Sequence, residues 1–164
     1  MIMVEIRTVN NTYSKSAIDL ILNIQQKEFN VPISIEDQPD LMQIEEFYAA
    51  SGGNFWGAFI NDELVGTIAL VKFDKNAAAI RKMFVKKEFR GKEHSIAQKL
   101  LEILISYCHE NGIEEVYLGT VAILRAALRF YERNHFTIIE KEKLPTKFPL
   151  MNSDNVFCFL NLKS

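Results

Sequence analysis

Seven of the chain's 19 lysines and arginines fall between residues 81 and 99: Arg81, Lys82, Lys86, Lys87, Arg90, Lys92 and Lys99. They surround the stretch Phe89-Arg90-Gly91-Lys92-Glu93-His94-Ser95-Ile96-Ala97, which follows an apolar run ending at Val85 and opens a segment of helical periodicity. The first amides of a helix have no intrahelical acceptor, and the helix dipole is positive at that end. A basic turn leading into a helix is therefore suited to an anion, phosphate above all.

Other chemistry finds less support. Cys108 and Cys158 lie far apart in apolar patterns with no activating base beside them, which reads as reduced core thiols and gives a covalent cysteine mechanism little basis. His94, His109 and His135 have no Cys or carboxylate partners at metal-ligand spacing, so no metal is expected.

The elements that must position the turn can be read along the chain. Val4, Ile6 and Val9 suggest an opening strand, and Ala17, Ile18, Ile21, Leu22 and Ile24 fall at helical spacing. A proline-containing loop over 31–39 precedes a second short helix over 40–50, stopped by Gly52-Gly53. Apolar runs over 55–60, 64–73 and 77–85 with short connections predict an antiparallel meander, which disfavours a dinucleotide-binding fold. Ile96, Ala97, Leu100, Leu101, Leu104, Ile105 and Cys108 form one helical face ended by Asn111-Gly112. A strand over 116–121, a helix over 124–134 and strands over 136–140 and 156–162 close the chain. The expected fold is α/β (α+β), a single domain over 1–164. It has a mixed, mainly antiparallel sheet of six to seven strands with helices on both faces, in the order β-α-α-β-β-β-α-β-α-β-β.

With 164 residues, 48% hydrophobic and 24% charged, the chain can bury a core unaided. A net charge of −2 argues against a general nucleic-acid or anionic-membrane binder. The N-terminus has no secretory pattern and no apolar run is long enough to span a bilayer, which suggests a cytoplasmic protein. A homodimer is left open.

The run from Phe89 to Leu101 resembles the acetyl-CoA-binding motif of the GNAT superfamily, [RQ]-x-x-G-x-[GA], with Ser95 where the middle glycine is usual and Glu93-His94 as a two-residue expansion. The run from Thr120 to Phe136 is similar to the family's N-x-x-A-x-x-x-Y-x-x-x-G-F segment. Ala127, Tyr131 and Phe136 match it, while Leu124 and His135 replace the usual Asn and Gly. The resemblance implies an N-acetyltransferase that uses acetyl-CoA as co-substrate and an amine-bearing acceptor. Met83, Phe84, Val85, Arg90, Gly91, Lys92, Ser95, Ile96 and Ala97 would hold the cofactor, and Tyr131 would protonate the departing thiolate. The glutamate that many members carry before the turn is absent from Ala77-Ala78-Ala79-Ile80. The base would be Glu28, Glu36, Asp37 or a water chain, and Phe29, Phe148 and Met151 would wall the acceptor site. The alternative is a module that binds acyl-CoA as a sensor or scaffold without transfer.

Overall fold

A computed structural model describes residues 3–91 and 95–163. In chain order the elements are β1 (Glu5–Thr8), α1 (Ser14–Leu22), α2 (Ile44–Ala50), β2 (Asn54–Ile60), β3 (Glu63–Asp74), β4 (Ala77–Val85), α3 (Ile96–Glu110), β5 (Glu115–Thr120), α4 (Arg125–Arg133), β6 (Thr137–Ile139) and β7 (Val156–Asn161). They build one seven-stranded sheet ordered β1-β2-β3-β4-β5-β7-β6. Its pairs are antiparallel except for β4 and β5, which run parallel and are joined by the crossover helix α3. The order and the mixed sheet agree with the sequence pattern.

The helical boundaries depart from it in two places. Helix α1 widens into a π-turn over Asn23–Glu28, which turns the chain toward the loop over 31–39. The second helix starts at Ile44 and not at residue 40. Pro39–Met42 instead forms a 3-10 turn, and Gln43 (φ −144°, ψ 59°) separates the two.

Each sheet face is covered. Ile96, Leu100, Leu101, Leu104 and Cys108 of α3 and Tyr131 of α4 pack with Trp56, Ala58, Ile68, Leu70, Ala78 and Ile80. On the opposite face, α1 and α2 bury Ala17, Leu20, Ile21, Ile44 and Tyr48 against Phe55, Phe59 and Ala69. Farther along that face, Phe148 of the late loop covers Ala77, Ala79, Tyr117 and Phe157.

Strand β4 is not regular. Its register with β3 shifts between Thr67↔Phe84 and Ala69↔Arg81, and Lys82 stands in the left-handed region at φ 53°. Such a bulge inserts a residue and reverses which face the following side chains meet. Ala78, Ile80 and Val85 consequently share the α3 face, although strict alternation would put 78 and 85 on opposite sides. Buried Thr67 fixes the bulge by donating its hydroxyl to the Lys82 carbonyl at 2.7 Å.

Replacing Thr67 with Val keeps the shape and removes the hydroxyl donor to that carbonyl. The substitution is expected to cost about 1–3 kcal/mol of stability. Urea unfolding of T67V beside the wild type checks this, with an unchanged midpoint as the contrary result.

Candidate active site

Pairing between β4 and β5 stops at Ile80 and Leu118, yet β4 continues to Val85 and β5 to Thr120. The two strands part into a cleft. Outward of α4 it opens a groove of about 410 Å³ between Met83, Phe84 and Val85, the Arg90-Gly91 turn, Ala97, and Ala126, Phe130 and Tyr131. On the other side lies a cavity of about 140 Å³, walled by Arg81 and Lys82, by Val31 and Ile33, and by Phe148, Met151 and Asp154 of the late loop. Tyr131, Met83, Phe84, Leu124 and Ala127 line both spaces.

The turn between β4 and α3 is shaped by backbone conformation. Gly91 has φ 113°, a region that side-chain-bearing residues rarely adopt, and Ser95 at φ 50° is left-handed immediately before α3. Ser95 thus keeps a conformation suited to the glycine usual at that position. A hollow beside the groove is lined by Val85, Arg90, Gly91, Ser95, Ile96 and Ala97. The expected cofactor residues therefore meet at one place; Lys92, with Glu93 and His94 of the expansion, lies outside the described residues.

Arg90 takes a position that sequence spacing does not reveal. Its Nε donates to the Val85 carbonyl at 2.8 Å, and its guanidinium makes a two-pronged ion pair with Glu28 at 2.5 and 2.8 Å. It also lies over the Phe29 ring. The side chain ties the π-turn to the end of β4, and the hydrogen bonds from Arg90 hold the Glu28 carboxyl below its ordinary value.

Tyr131 is locked by the way α4 ends. His135 occupies the left-handed position at φ 74°, where the related motif has glycine. The Phe136 amide reaches back to the Tyr131 carbonyl and the His135 amide to that of Glu132, a Schellman closure. The Tyr131 ring packs at 5.5 Å from Phe136 and 5.7 Å from Phe130. Among the described residues nothing hydrogen-bonds its hydroxyl. Burial raises the phenol above its ordinary pKa, which keeps the proton in place as a donor.

The acids expected as bases stand elsewhere. Glu28 belongs to the Arg90 pair, and Asp37 caps Ser34 through the latter's amide and hydroxyl, which holds its carboxyl below the usual range. Glu36 is exposed, and none of the three lines the 140 Å³ cavity. Asp154 does line it. Its carboxylate accepts no hydrogen bond among the described residues, and burial raises it to about 6 against the opposing pull of Arg81 and Lys82. Gly119 makes room for it, since a Cβ there would stand 2.5 Å from Asp154 Oδ2. In the sequence, Ser153-Asp154-Asn155 reads as a polar turn. The pairing of Thr120 with Val156 and the hydrogen bonds of Asn155 with Thr120 and Ala122 place that turn beside the cleft. Of the expected apolar wall, Phe148 and Met151 line the cavity, whereas Phe29 lines the groove.

Residues 18–136 match the model of the acetyltransferase (GNAT) family. The chain belongs to this family. An acetyltransferase of the GNAT family from Staphylococcus aureus Mu50 shares 42% identity and a TM-score of 0.94 over 98% of this chain and all of that one. A PaiA N-acetyltransferase from Thermoplasma acidophilum, solved in complex with coenzyme A, shares the fold at 19% identity and a TM-score of 0.78, over 97% and 99% of the two chains. Among curated relatives, an N-acetylaspartate synthetase from Danio rerio is 36% identical over 95 residues, 57% of this chain. The chain spans about a third of that relative's length. In this GNAT protein no described helix is long and apolar enough to cross a membrane.

The half-buried Asp154 has a consequence for stability. Its folded pKa near 6 lies above the ordinary 3.8, so the unfolded chain loses this proton first. The stability linked to its protonated form is therefore complete below pH ~4 and lost as pH rises through ~6. Asp154→Asn should stabilise the protein at pH 7 by on the order of 2 kcal/mol relative to its effect at pH 4. Denaturation of both proteins at the two pH values tests this; a pH-independent difference would contradict it.

Proposed function

We propose that the protein transfers an acetyl group from acetyl-CoA directly to a primary amine of a small molecule or peptide, without an acyl-enzyme. The observation that carries this reading is the junction at Tyr131: this one buried side chain lines both a groove beside a helix start and a separate cavity that Asp154 also lines. Family membership and the N-acetylaspartate synthetases among its relatives support transfer to nitrogen. Two free buried cysteines accord with a cytoplasmic setting.

In this scheme the pyrophosphate lies at the Gly91 turn and the start of α3, where amides and dipole favour anions. The thioester end reaches the cleft past Met83, Phe84 and Val85. Beyond Ile80 the β5-facing edge of β4 pairs with no strand among the described residues, and the scheme assigns the oxyanion to an amide of this stretch.

The acceptor enters as an ammonium and gives one proton to Asp154. The neutral nitrogen attacks the carbonyl carbon, forming the N–C bond and moving the carbonyl pair onto oxygen. Collapse breaks the C–S bond, and the thiolate takes its proton from Tyr131. The nitrogen's second surplus proton restores the phenol, and Asp154 releases the first to solvent. One proton leaves per turnover.

Two measurements test the reading. Acetyl-CoA at about a hundredfold its Kd should stabilise the native state by about 2.7 kcal/mol, seen as a raised melting temperature. No shift at saturation would refute the reading. Tyr131→Phe keeps the ring and removes the donor, so kcat should fall about a hundredfold while acetyl-CoA affinity stays within a few-fold. Retained turnover would leave Tyr131 a packing residue. Cofactor binding without thiol release from any amine would instead favour the sensor or scaffold module.

A further inference from the structure

Two opposite charges face the 140 Å³ cavity with no ion pair at close range among the described residues. Asp154 is one of them. Arg81 is the other: its guanidinium contacts the thioether sulfur of Met151 at 3.4 Å, and among the described residues no carboxylate lies within ion-pair distance of it. Its neighbour Lys82 differs. Lys82 Nζ donates to Gln38 Oε1 and stands 3.8 Å from Asp40, whose carboxylate also accepts from the Tyr48 hydroxyl. The Lys82 charge is thus met at close range within the fold, whereas Arg81 and Asp154 act on each other only from beyond ion-pair distance.

A half-buried guanidinium is desolvated at a loss unless something anionic meets it, and its planar fork matches a carboxylate with two parallel hydrogen bonds. Asp154 carries the complementary need for a cation. A simple alkylamine or polyamine satisfies Asp154 and leaves Arg81 unmet. A molecule bearing both an ammonium and a carboxylate satisfies both, and a free amino acid is the smallest common case. The remaining wall, from Val31, Ile33, Phe148 and Met151, is apolar and suits a short side chain.

We propose that the acceptor is a free amino acid, its ammonium placed at Asp154 and its carboxylate held by Arg81. The inference rests on the N-acetyltransferase reading but concerns a different atom of the acceptor, so the two can fail separately.

The test uses the full chain saturated with coenzyme A or supplied with acetyl-CoA. Each standard L-amino acid is compared with its carboxamide, in which the carboxylate alone is neutralised. Binding is followed by calorimetry and turnover by thiol release. At least one free acid should bind and turn over about tenfold to a hundredfold better than its amide, the range of a charge-assisted pair. Arg81→Gln should remove that preference by weakening the acid while leaving the amide nearly unchanged, with the acetyl-CoA thermal shift retained as evidence of folding. Arg81→Lys should restore part of it.

Equal use of acids and amides, or preference for polyamines, would overturn the inference and leave the acetyltransferase reading intact. Acid-selective, Arg81-dependent binding without turnover would support the inference and count against the transferase reading. No binding or turnover of any amino acid would overturn the inference.

Discussion

The departure of Lys82 from strand geometry is the constraint on which the cleft depends. A regular β4 would keep alternating to its end, and residues 83–85 would present opposite faces to the helices above and below. The bulge turns Val85 onto the α3 face and Phe84 toward α1, while Arg81 and Lys82 line the cavity. A left-handed non-glycine residue costs on the order of 1–3 kcal/mol and persists only where its surroundings over-determine it. Here the Thr67 hydroxyl holds its carbonyl and Gln38 its ammonium, from opposite ends of the residue.

That hold is electrostatic as well as steric. Burial drives the Lys82 ammonium down to about 8, while Asp40 pulls in the opposite direction. Asp40 is fixed by Tyr48, and Gln38 exchanges amide hydrogen bonds with Gln25 of the π-turn. Glu28, from the same π-turn, grips Arg90 just past β4. The first helix and its loop are therefore tied to β4 at both ends of the cleft, one tie largely buried and one half-exposed. The buried tie serves specificity of geometry more than net stability, because two desolvated charges repay little beyond their own burial.

Much of this architecture was legible in the sequence. The spacing of Ile96, Leu100, Leu101, Leu104 and Cys108 fixed α3, and the order of elements placed the Gly91 turn before it. The features that escaped are those that local pattern does not encode. Strand period counts on regular alternation, so the bulge at Lys82 was invisible, although adjacent cations inside the apolar run 77–85 are a signal that such a strand is interrupted. Glu28 looked free because its partner is 62 residues away. Asp154 looked like a turn residue because its role depends on register in β7. The substituted motif positions Ser95 and His135 proved conservative in backbone: both stay left-handed, so the turn and the helix end persist without glycine.

The walls of the cleft come from residues 25–33, 79–85, 118–131 and 148–154, segments that no short loop connects. The parallel pairing of β4 with β5 spans the whole of α3 before it closes, and non-local pairings of this kind meet their loop-closure entropy before any contact rewards it. The meander of β2, β3 and β4 has no such delay. The cleft is accordingly expected to form late in folding, when the C-terminal strands dock. Interactions that form after the rate-limiting step act on unfolding and not on folding. A molecule bridging these walls would therefore prolong the life of the native state without hastening its formation, and the occupied enzyme would resist proteolysis kinetically as well as thermodynamically.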